Sequence, residues 1–445
     1  MFSIIGKYTS ADIFIDQIDD VTYSQIEQLV NHPSFTQKVS IMPDTHAGAA
    51  NSVIGFTMPL SDSLIPNTVG VDIGCGMLSA RIFANKENLD LKEIDNKIRK
   101  VVPIGNRNGT HKNNPENFAK SFPFEKASDL LHQFTQKLNI RLGANYTPIE
   151  YNYPWFEKLC KRVDSDLKYT EASLGTLGGG NHFIEIGESS QDQSLWITFH
   201  SGSRKIGGDI AKYHSHIAAK NAGFDQEGFK KEFERIKAGL GAVDKKKLAD
   251  EHKKLKSKFK SHYPDVPNQM EFLSGQLMYD YLVDMIFAQF YAQTNRLMML
   301  RHCAQVLKAD FSETIESTHN YIDPIDLIIR KGAIRAYKTD QMIIPFNMAD
   351  GILICKGKSN PLWNYSAPHG AGRIMSRNKA KENISMKDYE NRMKMSGVFS
   401  SSINTATLDE APQAYKSAAI IEKAIEATAE ILFRLKPIYN LKAGN

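Results

Sequence analysis

Five short segments of this chain set metal-binding or nucleophilic side chains beside turn-forming residues. "VDIGCG" offers Asp72 and Cys75, with Gly74 and Gly76 flanking the thiol; a carboxylate and a thiolate three residues apart on a turn can face one cation. "GGGNHFIEI" offers Asn181, His182 and Glu185, and "WITFHSGSR" places His200 at the end of an apolar, strand-like run. "ESTHNYID" offers His319 beside Asn320. "YSAPHGAGR" sets His369 between a proline and a Gly-Ala-Gly-Arg run, flanks that no amphipathic helix or strand would choose for a core position.

Cysteine, histidine and a carboxylate together favour borderline transition cations over magnesium or calcium. Zinc accepts this mixture, and so does manganese when a carboxylate and phosphate oxygens complete the shell. Each residue also has a plain structural reading. His182 and His200 can be buried structural histidines, Asp72 a turn cap and Cys75 a small buried hydrophobe. The conjunction argues otherwise, because glycines beside polar residues let the backbone approach a bulky anion and expose N–H groups to phosphate oxygens. "HSGSR" and "HGAGR" share a histidine, small residues and an arginine, and Arg204 and Arg373 suit bidentate phosphate contacts. If one histidine ligates a metal, the other can attack phosphorus and form a readily cleaved phosphoramidate. "GTLGGGNH" has no lysine where a Walker loop needs one. Metal-dependent phosphate chemistry is the leading reading, and a structural metal site in a binding protein is its rival.

The elements that must position these residues follow from apolar patterning. "SADIFIDQIDDVTYSQIEQLVNHP" predicts a short strand and then a helix, with Asp20 or Thr22 as its cap. "VSIMPDTHAGAANSVIGFTMPL" predicts extended chain, and the "VDIGCG" bend runs into a strand over Leu78–Phe83. Residues 86–100 predict a charged helix, 103–117 a loop and 123–168 two or three helices. "LGTLGGGNHFIEIGES" and "SLWITFHSGSRKIGG" each pair an apolar segment with a glycine cluster. The span from about 209 to 310 predicts helix, and its Tyr, Met and Phe stripe reads as core. Short strands return at "DLIIRKGAIRAYK", "QMIIPFN" and "GILICKG", and a final helix is predicted over Ala411–Leu435. Strands on both sides of a helical span predict an α+β body, residues 1–445, with a helical insertion at 209–310.

Composition bounds the setting. The 445 residues are 42% apolar and 24% charged, which predicts a soluble globular chain. No apolar run nears the ~20 residues of a membrane-spanning helix, and the N-terminal segment does not read as a signal peptide. Cys75, Cys160, Cys303 and Cys355 are widely scattered, which predicts free thiols and a cytoplasmic setting. The net charge of +5 is mild, but Lys245–Lys260 carries eight lysines, a solvated helix face or a phosphate-attracting patch.

"MPDTHAGA", "VGVDIGCGM", "LGTLGGGNHFIEI", "HSGSRKIG", "STHNY", "RKGAIRA", "PHGAGRIMSR" and "APQAYKS" resemble, in this order, the motifs of the RtcB family of RNA ligases. The resemblance runs from about residue 41 to the C-terminus. It implies a single catalytic domain with mixed sheets around a deep cleft. It implies joining of an RNA 2′,3′-cyclic phosphate or 3′-phosphate end to a 5′-hydroxyl end, with GTP and two Mn²⁺ ions. By the same resemblance Asp72, Cys75, His182, His200 and His319 fall on metal positions, with Cys75 bridging the ions. Asn181, Glu185, Tyr415 and Lys442 fall on guanine-nucleotide positions, and His369 on the histidine that becomes guanylylated. RNA with broken ends is the implied partner, and a monomer is compatible with it. Two departures mark a divergent branch, for which RNA repair is an alternative to tRNA splicing. Pro368 stands where the family commonly has serine or cysteine. "FNMADG", Phe346–Gly351, stands where it has a glycine-serine stretch that helps to cradle the nucleotide. A metal-dependent RNA phosphoesterase or cyclic phosphodiesterase that has lost nucleotidyl transfer is the alternative function.

Overall fold

The glycine-broken apolar runs become the strands of two large sheets in the computed structural model. It describes residues 1–105, 118–222, 226–239, 248, 250–252, 254–255, 266–267 and 269–442. The larger sheet has seven antiparallel strands in the order Phe311–Thr318, Gly76–Ile82, Leu195–Ser201, Phe183–Ser189, Ala429–Lys442, Ile352–Gly357 and Gln341–Pro345. Its edge strands curl toward each other, and the Ile343 N–H donates to Ser317 Oγ at 3.0 Å. Curling shelters strand edges that would otherwise present unpaired backbone groups.

Alternation along these strands sorts the side chains onto two buried faces. Met77, Phe183, Ile315, Ile343, Ile354 and Leu435 fill the inside of the curl. Leu78, Ala80, Ile184, Ile197 and Phe199 face outward, against Met299, Leu300 and Cys303 of the helix Gly275–Leu307. The helix also packs, through Tyr281, Met285, Phe287 and Tyr291, into the apolar cluster covering a second, six-stranded sheet. That sheet runs Phe2–Ile5, Ser10–Ile13, Val39–His46, Ile54–Pro59, Ile328–Lys331 and Asn320–Ile322. Its one parallel pair, Ser10–Ile13 with Val39–His46, is crossed over by the helix Asp20–Val30. No described helix is long and apolar enough to cross a membrane, and all four cysteines are buried free thiols.

The α+β architecture is as expected, with two differences of detail. The cap of the first helix is Asp19, one residue before the expected position, because its carboxylate accepts from the amides of Val21 and Thr22. The helix expected over Ala411–Leu435 is reduced to a 3-10 turn at Pro412–Ala414 and a short α-helix, Ala418–Ile425. From Ala429 the chain is instead a 14-residue strand reaching Lys442. Its helix-compatible sequence is overruled by pairing on both sides, with Phe183–Ser189 and Ile352–Gly357. Helices Arg204–Asn221 and Gly275–Leu307, at the ends of the 209–310 span, pack into the core. The lysine run at 245–260 lies mostly outside the described residues, as does most of the loop expected over 103–117.

Candidate metal and nucleotide site

Five adjacent strands of the seven-stranded sheet deliver one candidate residue each to the same end of the sheet. Cys75 immediately precedes Gly76–Ile82, and His182 immediately precedes Phe183–Ser189. His200 is the second-last residue of Leu195–Ser201, His319 follows Phe311–Thr318, and Lys442 closes Ala429–Lys442. The register aligns them: Thr318 and Ser201 both face Gly76, while His200 and Lys442 both face Phe183. Antiparallel pairing thus gathers residues that lie hundreds of positions apart.

At this end Cys75 Sγ lies 3.5 Å from His182 Nε2 and 3.3 Å from His200 Nε2. His200 Nε2 is 3.3 Å from His319 Nε2, and His182 Nε2 is 3.0 Å from Asp72 Oδ2. The far nitrogens of two rings are already occupied. His182 Nδ1 donates to the Leu177 carbonyl at 2.9 Å, and His200 Nδ1 to the Asn181 carbonyl at 3.2 Å. Each ring therefore turns Nε2 to the cluster, which is how a backbone carbonyl orients a metal-ligating histidine. Burial, then His182, pushes His200 well below the usual histidine range; burial, then His369, does the same to His319. Both are neutral imidazoles. Burial, then Asp72, pushes the Cys75 thiol well up, so deprotonation of the thiol calls for a cation. Burial works to raise the Asp72 carboxyl too, but His182, Cys75 and Arg204 together outweigh this and hold it low. Cys75, His182 and His200 offer ligand atoms within 4.8 Å of one another. Converging Nε2 atoms, a thiol and a carboxylate fit a borderline cation.

The cluster floors a cleft of about 280 Å³. Asp72, Cys75, Asn181, Glu185, His200, His319, His369, Tyr415 and Lys442 all line it, with His182 behind Cys75 and Asp72. His369 follows the short strand Ser366–Pro368, which pairs with Ala333–Arg335, and its ring centroid stands 4.8 Å from that of His319. Gly332, at φ 65°, passes so close that an added Cβ would lie 3.2 Å from His369 Cε1. Opposite, buried Asp44 accepts from His369 Nδ1 at 2.7 Å and from the His369 backbone N–H at 3.2 Å, both on Oδ2. In the neutral ring the hydrogen bond to Asp44 places the proton on Nδ1 and the lone pair on Nε2.

At the other end of the cleft buried Glu410 collects cations. Oε2 accepts from Lys442 Nζ at 2.8 Å and from the Tyr415 hydroxyl at 2.6 Å, while Oε1 meets Arg377 at 2.6 Å and Arg373 at 3.3 Å. Burial works against its charge, but Lys442 and Arg377 outweigh it and hold the acid at about 2. Beside it, burial pushes Glu185 up to about 8 against the opposing pull of Asn440 and Lys442. Of the two arginines expected at phosphate, Arg373 lines the cleft; Arg204 instead reaches Thr176 Oγ1 at 3.2 Å, under the glycine loop. The "FNMADG" segment forms one wall through Phe346, Asn347, Met348 and Gly351. Asn347 Oδ1 caps its turn by accepting from the Ala349 and Asp350 amides.

Sequence reasoning did not single out Asp44, His46, Glu410 or Asn440, all of which contribute to this region. Asp44 and His46 lie in "MPDTHAGA", where proline and glycine around a carboxylate and an imidazole were the available signal. Burial drives His46 down to about 4, so it is a neutral wall of the cleft. Nothing local distinguishes Glu410 or Asn440 from ordinary polar residues.

The sequence profile of the family described as tRNA-splicing ligase RtcB matches residues 25–443. The chain is 28% identical to the RNA-splicing ligase RtcB of Escherichia coli K12, over 94% of this chain and 93% of the relative. It is 24% identical to the tRNA-splicing ligase RtcB of Nanoarchaeum equitans, over 98% and 94% of the two chains. With the tRNA-splicing ligase RtcB of Aeropyrum pernix the identity is 25%, over 90% and 87%. Matched along nearly its whole length, the chain belongs to the RtcB family.

Proposed function

We propose that this enzyme is an RNA ligase that joins an RNA 3′-phosphate or 2′,3′-cyclic phosphate end to a 5′-hydroxyl end, using GTP and manganese. One observation carries the reading. A histidine with a free Nε2, held through Nδ1 by a buried aspartate, stands ring to ring with a Cys/His cluster. Asp72, Cys75, His182, His200 and His319 are the residues that would hold the ions. Bound there, the ions would polarise phosphate oxygens and draw charge from the reacting phosphorus.

The chain's own residues account for the rest. His369 Nε2 attacks the α-phosphorus of GTP, an N–P bond forms, and pyrophosphate departs with the bonding pair. Asp44 keeps the proton on Nδ1 and balances the positive charge that the ring acquires, the role of an orienting carboxylate. An oxygen of the RNA 3′-phosphate then attacks the same phosphorus, and the N–P pair returns to Nε2. The 5′-hydroxyl finally attacks the RNA phosphorus and gives up its proton to solvent; an O–P bond forms and GMP leaves with the pair of the P–O bond that breaks. A cyclic end is first hydrolysed to the 3′-phosphate. Asn181, Glu185, Tyr415 and Lys442 are proposed to hold the guanylate, with Glu410 keeping Tyr415 and Lys442 in place.

The test uses α-labelled GTP with Mn²⁺, followed by denaturation. Acid-labile label on the wild-type chain and none on His369→Ala is the expected result. A phosphoesterase or a binding module gives no adduct, and label on the alanine variant overturns the assignment. Matched RNAs then settle the chemistry: 3′-phosphate/5′-hydroxyl pairs are joined, and joining of 3′-hydroxyl/5′-phosphate pairs instead would refute it.

A further inference from the structure

Asp72–Cys75, the glycine loop before His182, His200 and His319 come from four separate segments, and all four meet one turn of the helix Gly275–Leu307. Asn295 and Arg296 are fully buried there. Asn295 Oδ1 accepts from the Gly175 and Thr176 amides at 2.7 and 3.0 Å. Its Nδ2 donates to the carbonyls of Thr176 and Gly202 at 3.1 and 3.2 Å, and to Ser201 Oγ at 3.1 Å. Arg296 Nη1 donates to the carbonyls of Gly74 and Ser201, both at 2.8 Å. Its Nε and Nη2 grip Glu316 Oε1 at 3.1 and 2.6 Å, on the strand that ends beside His319. Gly74 precedes Cys75, Ser201 follows His200, and an added Cβ on Gly202 would fall 2.1 Å from Asp72 Oδ1.

The cluster needs such a brace. Its Nε2–Nε2 separation of 3.3 Å and its Sγ–Nε2 separations of 3.3 and 3.5 Å set ligand atoms from distant segments at hydrogen-bonding distance, which fixes the spacing of those segments narrowly. The carbonyls of Gly74, Ser201 and Gly202 also point inward at the helix, where unpaired acceptors are costly. One guanidinium fork and one carboxamide satisfy these carbonyls and fix the spacing of the segments that bear them. The turn at Gly74 lies directly on the helix, since a Cβ there would meet the Gln289 backbone at 2.8 Å.

We infer that Asn295 and Arg296 are positioning residues that hold the four ligand-bearing segments at ion-binding separation before the ion arrives. The inference rests on the metal reading of the Cys75 cluster. A residue that orients ligands from behind typically contributes a factor of 10–100 in metal affinity. Arg296→Lys keeps the charge but cannot bridge two carbonyls and Glu316 at once. Glu316→Gln, at a partly exposed residue, weakens the grip on Arg296 with little risk to the fold.

The experiment titrates each metal-free protein with Co²⁺, following the thiolate-to-cobalt absorption. It also records melting temperatures without metal and with saturating Mn²⁺. Arg296→Lys is expected to raise the Co²⁺ midpoint about 10–100-fold and to shrink the Mn²⁺-induced rise in melting temperature. Glu316→Gln is expected to shift both the same way by less, and it decides the matter if Arg296→Lys does not fold. A merely structural role lowers the metal-free melting temperature but leaves the Co²⁺ midpoint and the Mn²⁺ increment at wild-type values; that result overturns the inference. A wild-type thiolate band that is absent, or that survives Cys75→Ala, overturns the metal reading itself, and the inference with it.

Discussion

Replacing Asp44 separates two roles that one carboxylate oxygen performs. Oδ2 accepts from both His369 Nδ1 and the His369 backbone N–H, whereas Oδ1 has no partner among the described residues. In Asp44→Asn the amide oxygen must occupy the Oδ2 position, because an NH₂ group there would face a backbone donor. The Nδ1–H tautomer is then kept and only the negative charge is lost. A hydrogen bond to a charged group exceeds a neutral one by about 1–1.5 kcal/mol, which is roughly a tenfold loss in guanylylation rate. Asp44→Ala removes the acceptor altogether, freeing the ring to rotate and change tautomer; the expected loss is about 10²–10⁴-fold, or roughly 3–5 kcal/mol. The assay is single-turnover transfer of labelled GMP to the protein at fixed pH, with Co²⁺ titration to verify the metal site. An alanine variant within threefold of wild type would refute the role given to Asp44. An asparagine variant as slow as alanine would refute the argument about the shared oxygen.

Cys75→Ala removes the atom about which His182 and His200 converge; after dialysis against micromolar Mn²⁺ the variant is expected to retain sharply less metal than wild type, measured by elemental analysis. Gly372→Ala places a Cβ 2.2 Å from the Asp44 carbonyl oxygen at φ 71°, displacing the loop between His369 and Arg373, and the guanylylation rate should fall more than metal retention does. Glu410 has its folded-state acidity held at about 2, below its unfolded value. It therefore contributes stability that is complete above the unfolded carboxylate range and lost as pH falls through about 2. By linkage the pH-dependent part is about 3 kcal/mol. In denaturation series from pH 6 downward, the stability gap between wild type and Glu410→Gln should narrow by about that amount, and a constant gap would contradict the cation-collecting role.

The candidate groups that the fold brings together were legible in the sequence, because each is announced by its covalent neighbours. Gly74 and Gly76 around Cys75, the triple glycine before Asn181 and His182, and the Gly-Ala-Gly after His369 are local departures from any core periodicity. The strands leading to them were legible for the same reason, since short apolar runs over Phe183–Ser189 and Leu195–Ser201 beside glycine clusters need no distant partner to be recognised. What depended on partners was not. "ATAEILFRL", up to Leu435, satisfies either a helix or a strand, and only the neighbouring strands on both sides make it part of a strand that brings Lys442 opposite Phe183. The proton on His369 is assigned by Asp44, 325 residues away. Glu410 becomes a hub only when Lys442, Tyr415 and two arginines converge on it, and Asn295 and Arg296 read as ordinary helix residues until four loops pack against them. Local sequence specifies backbone freedom and the chemical type of each group. Which group is charged, paired or held against another is decided by sheet register and burial, and those exist only in the folded chain.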